Sequence, residues 1–66
     1  MLRNLKAEMV RTDLSVAEMS QTINKSDQTT RDKLAGKSDF SISEAFRIRD
    51  AHFPDMDLEY LFAQSP

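Results

Sequence analysis

The residues best equipped for chemistry lie in one run, Ser26-Asp27-Gln28-Thr29, in which every side chain is short or polar and none is wanted by a core. Hydroxyls, a carboxylate and an amide supply hydrogen-bond donors and acceptors, which is the chemistry of recognition rather than of bond making. Catalysis has little to stand on. His52 is the only histidine and there is no cysteine, so no second histidine or thiolate can join it in a nucleophile or zinc constellation. Asp55, Asp57 and Glu59 lack the spacing of a calcium loop, and helix capping accounts for them better. The expectation is a chain that is no enzyme, with no metal and no cofactor.

The elements that must position that run are small. A chain of 66 residues holds one domain, residues 1–66, and one modest core, because a domain of this size buries only about 60% of its unfolded surface. Without cysteine, stability rests on packing, caps and oligomerisation. A reducing, cytoplasmic setting is the simplest expectation. No apolar run approaches the roughly 20 residues needed to span a bilayer, and the amino terminus lacks the apolar core of a signal peptide, so a soluble protein, mature as written, is expected.

One glycine, two prolines and no alternating strand pattern favour an all-α chain of five short helices. The first covers about residues 2–12, with Leu2, Leu5 and Met9 on one face, and Asp13-Leu14 breaks it. Ser15 and Glu18 form a capping box for the second, with Leu14 and Met19 as its hydrophobic staple and Val16, Met19 and Ile23 as its buried stripe. Asn24 tolerates the left-handed conformation that ends helices. Ser26 caps a third helix over residues 27–34, and Gly36 stands where it stops. Ser41 and Glu44 box the fourth, which turns Ile42, Ala45, Phe46 and Phe53 inward and ends before Pro54. Asp57 caps the last, residues 58–62, with Met56 and Leu61 as its staple. The expected core is Leu5, Met9, Met19, Ile23, Leu34, Ile42, Phe46, Leu58 and Leu61.

The second and third helices meet with almost nothing between them. Such a pair crosses at a large angle, which leaves the later helix standing proud of the domain. Its start can then enter a DNA major groove about 12 Å wide, with Ser26, Asp27, Gln28 and Thr29 nearest the base edges. The net charge of −2 argues against an indiscriminate nucleic-acid binder. Its distribution is more telling: residues 1–37 carry seven Lys/Arg against five Asp/Glu, or +2, and residues 38–66 carry two against six, or −4. One basic working face and an acidic end are expected.

With Leu14-Ser15 opening the second helix, Glu18-Met19 within it, Ile23 closing it, Ser26 capping the third and Gly36-Lys37 after it, the chain resembles the Cro and phage-repressor (XRE-like) helix-turn-helix family. The segment Phe40-Ser41-Ile42-Ser43-Glu44-Ala45 and the terminal Leu58-Glu59-Tyr60-Leu61-Phe62 extend the likeness over essentially the whole length. The resemblance implies a lambda repressor-like bundle and a DNA-binding transcriptional regulator, a phage or mobile-element repressor acting as a homodimer on an operator and open to a protein antirepressor. It puts base contacts on Asp27, Gln28, Arg31 and Asp32, and backbone contacts on Ser15, Lys25, Ser26, Thr29, Lys33 and Lys37, with Arg11 a further candidate. Departures from the family pattern are informative. Val16 replaces a phosphate-binding Gln and Asn24 the turn glycine. Lys25, Ser20 and Thr30 replace apolar residues, which predicts a thin core between the two helices. Asp27 also complements the dipole at the start of its helix.

A second reading keeps the scaffold but uses it, or its acidic half, to bind a protein as an adaptor or anti-regulator. Asp27, Asp32 and the negative total charge are what that reading expects. Phe40, Phe46, Phe53, Tyr60 and Phe62 fall at helical spacing and belong to core packing, with Tyr60 or Phe62 left over for a dimer contact.

Overall fold

Backbone geometry at the helix ends explains why so short a chain holds five separate helices. The computed structural model describes residues 2–64, and among these it contains α1 (Arg3–Arg11), α2 (Val16–Ile23), α3 (Asp27–Ala35), α4 (Ile42–His52) and α5 (Leu58–Leu61), with no strand. α1, α2 and α3 all stop on a left-handed residue: Asp13 (φ 57°), Asn24 (φ 57°) and Gly36 (φ 90°). In each, the following N–H reaches back to a carbonyl five residues earlier, Leu14 to Met9 at 2.8 Å, Lys25 to Ser20 at 3.0 Å and Lys37 to Asp32 at 2.9 Å. This is the Schellman closure, which satisfies the orphan carbonyls and turns the chain, so that the next cap follows two residues later after α1 and α2 and five residues later after α3.

The next cap is a serine every time. Ser15 Oγ accepts from Glu18 N and Ser41 Oγ from Glu44 N, while both glutamates accept the cap N–H in return. Ser26 Oγ accepts from Thr29 N at 3.1 Å. At α5 the expectation fails: Asp57 stands at the cap position with extended backbone, yet its side chain makes no cap hydrogen bond. Only its carbonyl takes part, accepting from Leu61 N at 3.1 Å.

α2 packs on α3 and α4, and α5 on α1 and α4. The core gathers Leu2, Leu5, Met9, Met19, Ile23, Leu34, Ile48, Phe53 and Leu61, with Leu14, Val16, Phe40, Met56 and Phe62 against it. Three expected core residues are displaced. Ile42 is 76% exposed and Phe46 43%, and Leu58 is only partly buried. The cause is the rotation of α4. Glu44 is buried, at 6%, and pairs with Lys33 of α3; at 3.6 residues per turn Ile42 lies about 200° away from it, on the opposite side. Ala45 and Ile48 therefore face inward.

The contact between α2 and α3 is polar. Ser20 and Thr30 are 4% and 0% exposed, and Ser20 Oγ donates to Thr30 Oγ1 at 2.8 Å. Thr30 passes its own proton to Ser26 O at 3.0 Å, so both hydroxyls are satisfied without water. The apolar core between these helices is thin, as the replacements imply, and a hydrogen bond stands where apolar side chains would pack. Elsewhere, Glu8 is buried between α1 and α5 and accepts from the Tyr60 hydroxyl at 2.8 Å, a bond that raises the Tyr60 pKa above its ordinary range.

This packing makes two outcomes measurable. Ser20→Ala and Thr30→Val should each destabilise by about 0.5–1.5 kcal/mol, and the double variant by clearly less than their sum, because one shared bond is removed only once. Additive melting shifts in the double-mutant cycle would contradict it. The other outcome concerns acid. Burial pushes the Glu44 carboxyl up, but the Lys33 ammonium and the Ser41 N–H outweigh it, and the net pKa lies below the ordinary 4.5. A depressed folded-state pKa gives stability that is present above about 4.5 and is lost as pH falls through the folded value. Glu44→Gln should accordingly lower the melting temperature at neutral pH while flattening its decline below pH about 4.5; an unchanged acid slope would show that Glu44 is not the group responsible.

Candidate nucleic-acid interface

α3 is buried on one narrow side only. Thr30 and Leu34 are its buried residues, one turn apart, and Asp27, Gln28 and Arg31 are exposed. The start of the helix thus presents Asp27, Gln28 and Arg31 to solvent or a ligand. α2 and α3 are separated by residues 24–26 alone, and all three of these are exposed. Asn24 in the left-handed region and Ser26 in the extended region make the reversal.

The expected contact residues divide into those left open and those engaged. Ser15, Lys25, Ser26, Arg31 and Lys37 are exposed, and among the described residues Lys25, Arg31 and Lys37 have no ion-pair partner. Thr29 is partly buried; its Oγ1 accepts from Ser26 Oγ at 3.0 Å, which leaves its own proton to give outward. Lys33 is different. Its ammonium is bonded to the buried Glu44 and lies 5.8 Å from the centre of the Phe40 ring, with only 12% of the side chain exposed. Pairing within the fold engages the Lys33 ammonium and makes it a tie between α3 and α4. Arg11 is 69% exposed and 3.6 Å from the Glu8 carboxylate.

Asp32 also changes role. Its Oδ1 accepts from Gln28 Nε2 at 3.0 Å, one helical turn away. A carboxylate only accepts, so this bond settles which end of the Gln28 amide is nitrogen. The amide keeps one N–H and its oxygen for a further partner. Asp32 is partly buried, and its carboxylate is engaged by Gln28.

Supporting contacts that spacing did not reveal lie behind this surface. Thr22 lies 3.0 Å from Glu18 O and hydrogen-bonds His52 Nε2 at 2.7 Å, which pins the end of α4 to α2. The partners are 30 residues apart, and nothing local signals them. Hydrogen bonds from the Ser15 N–H and hydroxyl lower the Glu18 pKa and keep that cap ionised. Among the described residues no group of three His, Cys, Asp or Glu could hold a metal ion, and no helix is long and apolar enough to cross a membrane. What this arrangement offers is an exposed amide, a guanidinium and flanking ammonium groups on one short helix and the turns that bound it.

Comparison of the chain with protein-family models, with curated proteins and with solved structures finds no match.

Proposed function

We propose that the chain is a sequence-specific DNA-binding transcriptional regulator of helix-turn-helix type, reading the major groove with α3 as a symmetric dimer. One observation carries this reading: α3 buries only Thr30 and Leu34, is tied to α4 through Lys33, and leaves Asp27, Gln28 and Arg31 exposed after a three-residue turn. A helix about 10–12 Å across fits a major groove about 12 Å wide, and a polar first turn is what base edges require. In this mechanism Gln28, oriented by Asp32, pairs through its free N–H and its oxygen with adenine N7 and N6. Arg31 binds phosphate, Asp27 complements the helix dipole, and Lys25 and Lys37 hold the backbone on either side. Thr29 adds a hydroxyl contact to phosphate with its free proton, while the Ser15 and Ser26 hydroxyls give theirs to Glu18 and Thr29 and hold the two helix starts. Two copies are needed, because one short helix contacts too few base pairs, and the half-sites should lie about 34–36 Å apart. Nothing in this scheme calls for a metal, a cofactor or a covalent step.

Readout and positioning separate by mutation. Gln28→Ala should cost about 1–3 kcal/mol at the preferred operator and relax the preference at one base pair per half-site. Lys37→Ala should weaken all sequences alike and reduce the salt slope by about 0.9 for each phosphate that no longer has its lysine. Selection from a randomised duplex library, with titrations at several salt concentrations, measures both. If wild type binds no duplex at about 50 mM salt, including the region upstream of its own coding sequence, the reading is wrong and a protein-binding adaptor takes its place.

A further inference from the structure

The rotation that buries Glu44 leaves the outer side of α4 apolar. Ile42 (76% exposed) and Phe46 (43%) stand one turn apart on it, and Ile42 also lines a groove of about 550 Å³ between the start of α4 and the α5 segment. Phe40, Ala45, Leu58 and Phe62 make the groove apolar. A protruding ring and an apolar recess thus adjoin at α4, Phe46 lying about 6 Å along the helix axis from Ile42 at the groove.

Their charges are opposite. Phe46 is followed by the exposed Arg47, which has no ion-pair partner among the described residues, while the Arg49 guanidinium, 5.2 Å from the centre of its ring, is paired with Asp50 at 2.9 Å. The groove carries the exposed carboxylates of Asp39 and Glu59, while its one cation, Lys33, is neutralised by Glu44. A surface bearing both a basic-flanked knob and an acidic apolar recess complements itself. We propose that this face is the contact with a second copy of the chain, in an isologous dimer in which Phe46 of each copy enters the groove of the other.

A two-fold axis between knob and recess closes such a contact, so it yields a dimer and not a filament. Of α3 it involves only Lys33, at the groove wall, and it leaves Gln28 and Arg31 open. The dimer should be weak. A standard interface buries about 800 Å² on each partner, roughly a fifth of the 4290 Å² surface of this chain, and a single helix face with one groove supplies less. The inference deepens the dimer of the proposed function, but it rests on this surface and is tested without DNA.

Sedimentation velocity of the whole chain from about 10 μM to about 1 mM should show a concentration-dependent dimer. Phe46→Glu, at an exposed position, should remain monomeric over that range with unchanged helical circular dichroism. Val10→Glu, at an apolar residue 82% exposed on α1, should behave as wild type. Arg47→Glu should weaken the dimer by about tenfold, and the charge swap Arg47→Glu/Glu59→Arg should recover most of that affinity. A wild type that is monomeric throughout, or dimerisation abolished by Val10→Glu and untouched by Phe46→Glu and Arg47→Glu, would overturn the proposal. Loss of DNA binding with the dimer intact would instead count against α3 as the reader.

Discussion

One buried hydrogen bond, from the Ser20 hydroxyl to the Thr30 hydroxyl, decides how α3 is presented. Two small polar residues allow α2 and α3 to approach closely, and because Ser20 gives its one proton to Thr30 and Thr30 gives its own to Ser26 O, neither hydroxyl is left without a partner. An apolar pair at these places would supply more area but no fixed geometry. The bond makes the pair directional, and it lets α3 keep most of its circumference out of the core. Exposure of Gln28 and Arg31 is the consequence.

Around that bond the rest of the molecule works as a clamp. Lys33 and Glu44 tie α3 to α4, His52 and Thr22 tie α4 back to α2, and Leu2 N donates to Leu34 O across the end of α3. Each tie is single, and each uses a polar group that would cost free energy if buried alone. The fold is small enough that its specificity lies in such pairs as much as in its apolar core. Burying Glu44 has a second effect, since it turns Ile42 and Phe46 to the surface and creates the apolar face on α4.

The local parts of this plan can be read directly from the chain. Serine caps at 15, 26 and 41, and Asp13, Asn24 and Gly36 at the stops, act within four or five residues of themselves, so their spacing carries the information. Non-local pairs are not legible in that way. Apolarity assigned Ile42 and Phe46 to the core, because nothing near Glu44 announces that Lys33, 11 residues earlier, will neutralise it in the interior. The same partner withdrew Lys33 from the surface. Ser20 and Thr30 were visible as polar replacements, but not that they would bond to each other. Among the candidate contact residues, exposure could be anticipated for Asp27, Gln28 and Arg31 from their place at the start of α3. The engagement of Asp32 with Gln28 follows from four-residue spacing, although only the structure shows the amide so held.

Whether α3 is the surface that meets DNA is open to one direct measurement. Amide chemical shifts of the labelled protein, followed at about 50 mM salt while duplexes from the region upstream of its coding sequence are added, locate the contact residue by residue. If α3 reads DNA, the largest changes fall on residues 25–32 and on Lys37, with smaller ones on the outer face of α4 as copies pair. Changes confined to α4 and α5, or none at any duplex tried, would contradict it.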